Sequence, residues 1–213
     1  MTENNDPGEI SRQAAGQQPT HDRPTHDRRT FLGATVGMAI ATPAFPLTEP
    51  KKQKPADERR PEPGDIIVHR FGERAGQPLA PGEVKLGGDL VNCITKDPQT
   101  GVVRDGSRLN GLIVVRFKPE ELSAQTIVHA ADGGVLAYSS VCNHQGCDLS
   151  QLLPDERVFK CYCHYSKFDP RAAGKPKDGP ARRKLAVLPL KFDNGLFVAA
   201  SEFVGRVGFK KRR

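Results

Sequence analysis

Between residues 65 and 205 the apolar residues fall in short runs and not in a helical stripe. IIVHRF at 66–71, GLIVVRF at 111–117, TIVHAA at 126–131 and GVLAYSSV at 134–141 are strand-length segments rich in β-branched and aromatic residues, separated by Gly, Asp, Asn and Pro. Such runs suit a pleated surface, where branched side chains pack well and turn residues punctuate the chain. Further on, LAVLPLKF at 185–192 and LFVAA at 196–200 flank Asp193-Asn194-Gly195. Asn-Gly supplies the positive φ angles of a tight hairpin turn. The pattern predicts an all-β domain of small antiparallel sheets over 65–205, closing on a hairpin, with no long helix and no internal repeat.

Outside that span the pattern dissolves. Residues 1–27 are polar and without periodicity, the composition of a disordered segment. Arg28-Arg29-Thr30-Phe31-Leu32 then opens an uncharged Gly- and Ala-rich run, broken by Pro43 and Pro46, that resembles a twin-arginine export signal. The run is shorter than the ~20 apolar residues that span a bilayer comfortably. The expectation for 1–47 is therefore a disordered start and an export signal, either cleaved or retained as an anchor, which places the protein in the periplasm. Residues 48–64 mix Pro with alternating charge, as extended linkers do.

Composition sharpens two points. The 21 Gly and 18 Pro, with no Trp, agree with a turn-rich β body. The net charge of +7 is all C-terminal, since residues 171–213 hold 12 basic side chains against three acidic ones and end in Lys210-Lys211-Arg212-Arg213. A solvated basic tail over 206–213 is the plainer reading. Nucleic acid is not expected as a partner, because no aromatic residues interleave with the charge.

The chemistry concentrates in two places. CNHQGC at 142–147 and CYCHYS at 161–166 contain four of the five cysteines and two of the six histidines. Cys142, His144, Cys161 and His164 can be chosen as four metal ligands, spaced C-x-H, sixteen residues, C-x-x-H. Two Cys and two His make an ordinary zinc set, but a zinc knot leaves Cys147 and Cys163 without a reason. A purely disulfide framework ignores both histidines and strands one of five cysteines. A [2Fe–2S] cluster held by two thiolates and two imidazoles also accommodates the set.

These loops resemble those of the Rieske family, C-x-H-x-G-C and C-x-C-H-x-S, at Cys142, His144, Gly146, Cys147, Cys161, Cys163, His164 and Ser166. The resemblance implies a Rieske domain with two loops at one tip, one cluster per chain, Cys142 and Cys161 on the inner iron and His144 and His164 on the outer. It also implies a Cys147–Cys163 disulfide, a hydrogen bond from Ser166 toward the cluster, and a shielding loop at Gly179-Pro180-Ala181. A disulfide persists in an oxidising compartment, and twin-arginine export carries folded cargo, so the two readings agree.

The paired extra cysteines point to the high-potential branch, which includes bc1-type Rieske subunits and the arsenite oxidase small subunit. KCYCHYSKFDP is similar to the latter, whereas DGPARRKLAVLPL resembles the former. The implied function is one-electron transfer in a periplasmic or membrane-associated respiratory oxidoreductase, with no catalysis by this chain alone. Its partners would be a cytochrome b-type quinol-oxidising module or a molybdenum-type catalytic subunit, and a c-type cytochrome or copper protein as acceptor. A structural zinc assembly module and an oxygenase-type Rieske ferredoxin are the alternatives. Cys93 is expected to be a small buried hydrophobe.

Overall fold

Strand-forming runs pair into two antiparallel sheets in the computed structural model, which describes residues 53–209. The export signal over 1–47 and the tail residues Lys210–Arg213 lie outside the described residues. In chain order the strands are β1 Ile66–His69, β2 Val91–Lys96, β3 Leu112–Arg116, β4 Val135–Ser139, β5 Gln151–Leu153, β6 Val158–Lys160, β7 Lys167–Asp169, β8 Lys175–Asp178, β9 Val187–Leu188, β10 Leu190–Asp193 and β11 Leu196–Ala199. The larger sheet runs β10-β11-β1-β2-β3-β4-β9 and the smaller β5-β6-β7-β8.

The order of the large sheet dictates its shape. Its two outermost strands, β9 and β10, are separated in sequence by Pro189 alone. Opposite edges can be one residue apart only if the sheet curls nearly into a barrel. Proline suits the corner because it has no N–H to leave unpaired. The barrel interior is filled by Ile67, Leu79, Cys93, Leu112, Val114, Ala137, Leu188 and Phe197. Cys93 is fully buried, and burial pushes its thiol far above the ordinary range.

The other faces of β3 and β4 carry Ile113, Val115, Leu136 and Tyr138, which pack with Phe159 and Phe168 of the small sheet. Tyr138 meets Phe159 edge to face at 5.7 Å, and its hydroxyl donates to Pro170 O at 2.7 Å. The small sheet is thereby seated on one flank of the barrel. Cys142 and Cys161 belong to the same packed cluster, so the second core is continuous with the loops 142–147 and 161–166.

The predicted hairpin forms as β10 and β11, with Asn194 and Gly195 at φ +49° and +81°. TIVHAA differs from expectation. Instead of a strand it begins in a single helical turn, α1 Ala124–Ile127. The reason is local: Thr126 Oγ1 is fixed between Ser123 Oγ at 2.8 Å and Arg171 O at 2.7 Å, and it accepts from Ala173 N at 2.7 Å. Ile127 and Val128, read as strand residues, are exposed on this turn.

Residues 55–64, expected as part of a linker, are fastened to the domain. Arg60 donates to Leu109 O at 2.7 Å, and Asn110 Nδ2 donates to Arg59 O at 2.6 Å. Beside them Arg104 makes a two-bond pair with Asp65 at 2.5 and 2.9 Å, both side chains almost completely buried. Its partner carboxylate raises the Arg104 pKa further.

Candidate metal centre

The small sheet interrupts the barrel between β4 and β9, so three connections sit close together: 140–150, 161–166 and 179–186. The first folds back tightly, with Cys142 N donating to Cys147 O at 2.8 Å and Gly146 N to Cys142 O at 3.0 Å. Gly146 has φ +85°, where a side chain is strained. The second is the hairpin loop between β6 and β7, closed by Cys161 N donating to Ser166 O at 2.9 Å. Tyr165 in that loop has φ +57°. A non-glycine residue there costs about 1–2 kcal/mol, so the loop conformation is imposed by its surroundings.

Cys147 and Cys163 are joined, which ties the two loops together. Cys142 and Cys161 remain free thiols and are almost fully buried. Burial, with the neighbouring Cys161 thiol, pushes Cys142 up to about 11, while the backbone N–H groups of His144 and Gln145 pull the other way by hydrogen bonding to its sulfur. The rings of His144 and His164 face each other edge to face, 4.7 Å apart. His144 is half-buried and His164 exposed. His144 Nδ1 is buried with no hydrogen-bond partner among the described residues. An orphaned ring nitrogen opposite a second imidazole, beside two adjacent thiols, fits a metal centre with mixed sulfur and nitrogen ligands.

The donors are gathered as pairs and not as one knot. Among the described residues, the sulfurs of Cys147, Cys161 and Cys163 lie within 4.8 Å of one another, but two of these are the disulfide. No trio drawn from Cys142, His144, Cys161 and His164 is gathered that closely. A tetrahedral zinc with ligand bonds of about 2.0–2.3 Å needs all four donors within roughly 4 Å. One pair of adjacent thiols and one pair of facing imidazoles suit two metal ions better.

The third connection covers the second loop. Ala181 N donates to Ser166 Oγ at 3.1 Å, and a Cβ on Gly179, at φ +80°, would lie 2.6 Å from Ser166 Cα. Only glycine permits that approach of backbone to backbone. Asn143 Nδ2, between two candidate ligands, donates to Arg183 O at 2.7 Å and Lys184 O at 2.9 Å. Sequence reasoning passed over Asn143 and Arg183, since only their position beside a motif marks them.

Residues 99–189 match the family described as Rieske [2Fe-2S] domain. Over those residues the chain carries a Rieske domain. Its relatives include the cytochrome bc1 complex Rieske iron-sulfur subunit of Corynebacterium diphtheriae, 43% identical over 84 residues, which are 38% of this chain and 21% of that one. The subunit of the same name from Mycobacterium tuberculosis is 36% identical over 104 residues, 46% of this chain and 24% of that one. A Haloferax mediterranei protein named as a respiratory nitrate reductase Rieske subunit is 32% identical over 106 residues, 49% of this chain and 47% of that one. The match thus spans about a fifth to a quarter of these two bc1 relatives and about half of the third. The Rieske domain implies a [2Fe-2S] cluster, and the donor set described above suits one.

Among the described residues no helix is long and apolar enough to cross a membrane.

Proposed function

We propose that this protein is the electron-transfer subunit of a respiratory oxidoreductase and that Cys142, Cys161, His144 and His164 hold its cluster. When bound, a Rieske cluster takes up and returns one electron. The chain's own residues supply the rest. Buried Cys142 and Cys161 anchor the inner side away from water, and the exposed ring of His164 brings the outer side to the surface where a partner can approach. The Cys147–Cys163 bond holds the loops in register, and the turn at 179–181 keeps solvent from Ser166.

The observation that carries this reading is the pairing of donors, two adjacent thiols and two facing imidazoles with the buried His144 Nδ1 unsatisfied. The likeness to bc1 subunits favours a cytochrome b-type quinol-oxidising module as donor and a c-type cytochrome or copper protein as acceptor. The likeness to a nitrate reductase subunit favours a second reading, a molybdenum-type catalytic subunit as partner. In either case Arg28-Arg29 would direct export of the folded protein to the periplasm, with the N-terminal segment cleaved or kept as an anchor. Metal and acid-labile sulfide analysis tests the proposal. Protein from its native host should contain about two iron and two sulfide per chain, and Cys142→Ser or His144→Ala should abolish both. Stoichiometric zinc without iron would overturn it, and co-purification with a larger subunit would decide between the two complexes.

A further inference from the structure

The described part of the segment that follows the last strand reaches the first ligand loop. Val204 leaves β11 behind and pairs with Val187, exchanging backbone hydrogen bonds of 2.8 and 3.1 Å. Gly208 is buried, and a Cβ there would lie 3.3 Å from Leu109 and 3.6 Å from Val141. Phe209 then lies over Gly146, so closely that a Cβ on Gly146 would come within 2.9 Å of the ring. From another side Arg108 donates to Gly146 O at 2.5 Å and to Asp148 at 3.1 Å.

Arg183 joins these contacts. Its carbonyl accepts from Asn143, the residue between Cys142 and His144. Its guanidinium donates in the opposite direction, to Gly208 O at 2.7 Å and Arg206 O at 3.5 Å. A planar guanidinium suits this because its several N–H groups diverge from a fixed fork. One residue thus links the ligand loop, the connection from 179 to 186 and the C-terminal segment.

We propose that residues 204–209 form a strap over the metal centre, and that Arg183 is the positioning residue through which the strap holds the loop bearing Cys142 and His144 closed. This rests on the reading of those two residues as ligands. Release of a metal centre from a folded domain passes through local opening of the loops that hold it, and a loop pinned on several sides opens less often. Removing the strap takes away pinning contacts but no ligand, and it leaves both sheets paired.

The test uses the cluster-loaded protein and three variants: a chain ended after Phe203, Phe209→Ala, and Arg183→Ala. Iron release to an excess of iron chelator is followed by bleaching of the visible absorbance, with β-sheet circular dichroism as a check on the fold. The shortened chain should release iron about tenfold faster, as loss of one or two such contacts implies, with its sheet signal unchanged. Arg183→Ala should speed release in the full chain but add little in the shortened one, because its effect acts through the strap. Phe209→Ala, which leaves charge unaltered, should also shift the electron-paramagnetic-resonance lines and raise the midpoint potential, since water reaching the centre favours the more negative reduced state. If Arg183→Ala does not fold, the other two variants carry the test. Release within about twofold of the unaltered protein in the shortened chain and Phe209→Ala would overturn the strap. An unaltered protein without iron would overturn the ligand reading and the strap with it.

Discussion

Ser166→Ala probes whether the second loop addresses a sulfur. Ser166 is fully buried and its Oγ accepts from Ala181 N at 3.1 Å, which uses a lone pair and leaves the hydroxyl hydrogen free to donate. The neighbouring Cys161 is buried and hydrogen-bonded to Ser166 through the backbone. A hydrogen bond donated to a ligand sulfur stabilises the reduced state, which carries more negative charge. If that preference is about 1 kcal/mol, the one-electron potential moves by roughly 40 mV, at about 59 mV per tenfold change. Ser166→Ala should therefore lower the midpoint by a few tens of millivolts. It should also cost about 1–3 kcal/mol of stability, because the Ala181 N–H is left without an acceptor. Phe168→Tyr is the opposing change: Phe168 is fully buried in the same packed core as Cys142 and Cys161, and a hydroxyl added there that donates to a ligand sulfur should raise the midpoint. Protein-film voltammetry at one pH, with thermal melts of the same samples, reads both quantities. A Ser166→Ala protein that melts earlier at an unchanged or raised midpoint would refute the reasoning and leave the hydroxyl serving the 179–181 turn alone.

Cys147→Ser with Cys163→Ser should loosen the loops before the sheets; the bond closes a loop across 16 positions, which in the chain-entropy picture is worth roughly 3 kcal/mol. Limited proteolysis cutting within 142–166 ahead of any other site would bear this out, and cleavage elsewhere first would count against it. Burial holds His129 below its ordinary value, and burial followed by the Arg74 charge does the same for His69. The unfolded chain therefore takes up these protons first, so stability should decline as pH falls from about 6.5 toward the lowered folded values. Urea midpoints at pH 7.5 and 5.5 should show that drop, and His129→Gln should lessen it. Arg28→Lys with Arg29→Lys should hold the protein in the cytoplasm with its cluster present; fractionation that finds it exported would show that the signal is misread.

What could be read from the sequence was what depends on near neighbours. The candidate ligand loops stand out because their spacing is local, and the β10–β11 hairpin because Asn194-Gly195 states its own turn. The strands β5, β6 and β8 are three or four residues long and carry Gln, Lys, Pro and Asp, so nothing in their pattern announces a sheet. They pair because the Phe159 and Phe168 side chains have a core to enter, and that core is built by β3 and β4 far away in the chain. β2 escaped notice because its buried residues, Cys93, Ile94 and Thr95, are consecutive rather than alternating. TIVHAA failed for the converse reason: its apolar run suits a strand, but the Thr126 hydroxyl has tertiary partners that fix a turn. The C-terminal contacts on Gly146 were invisible because a Phe beyond the last strand has no periodicity to place it.

The curled sheet has a further consequence for encounters with other proteins. Because β9 and β10 meet at Pro189, the large sheet offers little open edge, and the small sheet ends on β8, where two lysines flank Pro176. Lysine and proline on an outer strand discourage another chain from adding itself to the sheet. Association by strand addition is thereby disfavoured at the barrel seam and at the β8 edge of the small sheet. The electron carrier proposed above gains from this, since contacts made through loops release more readily than a shared ladder of backbone hydrogen bonds.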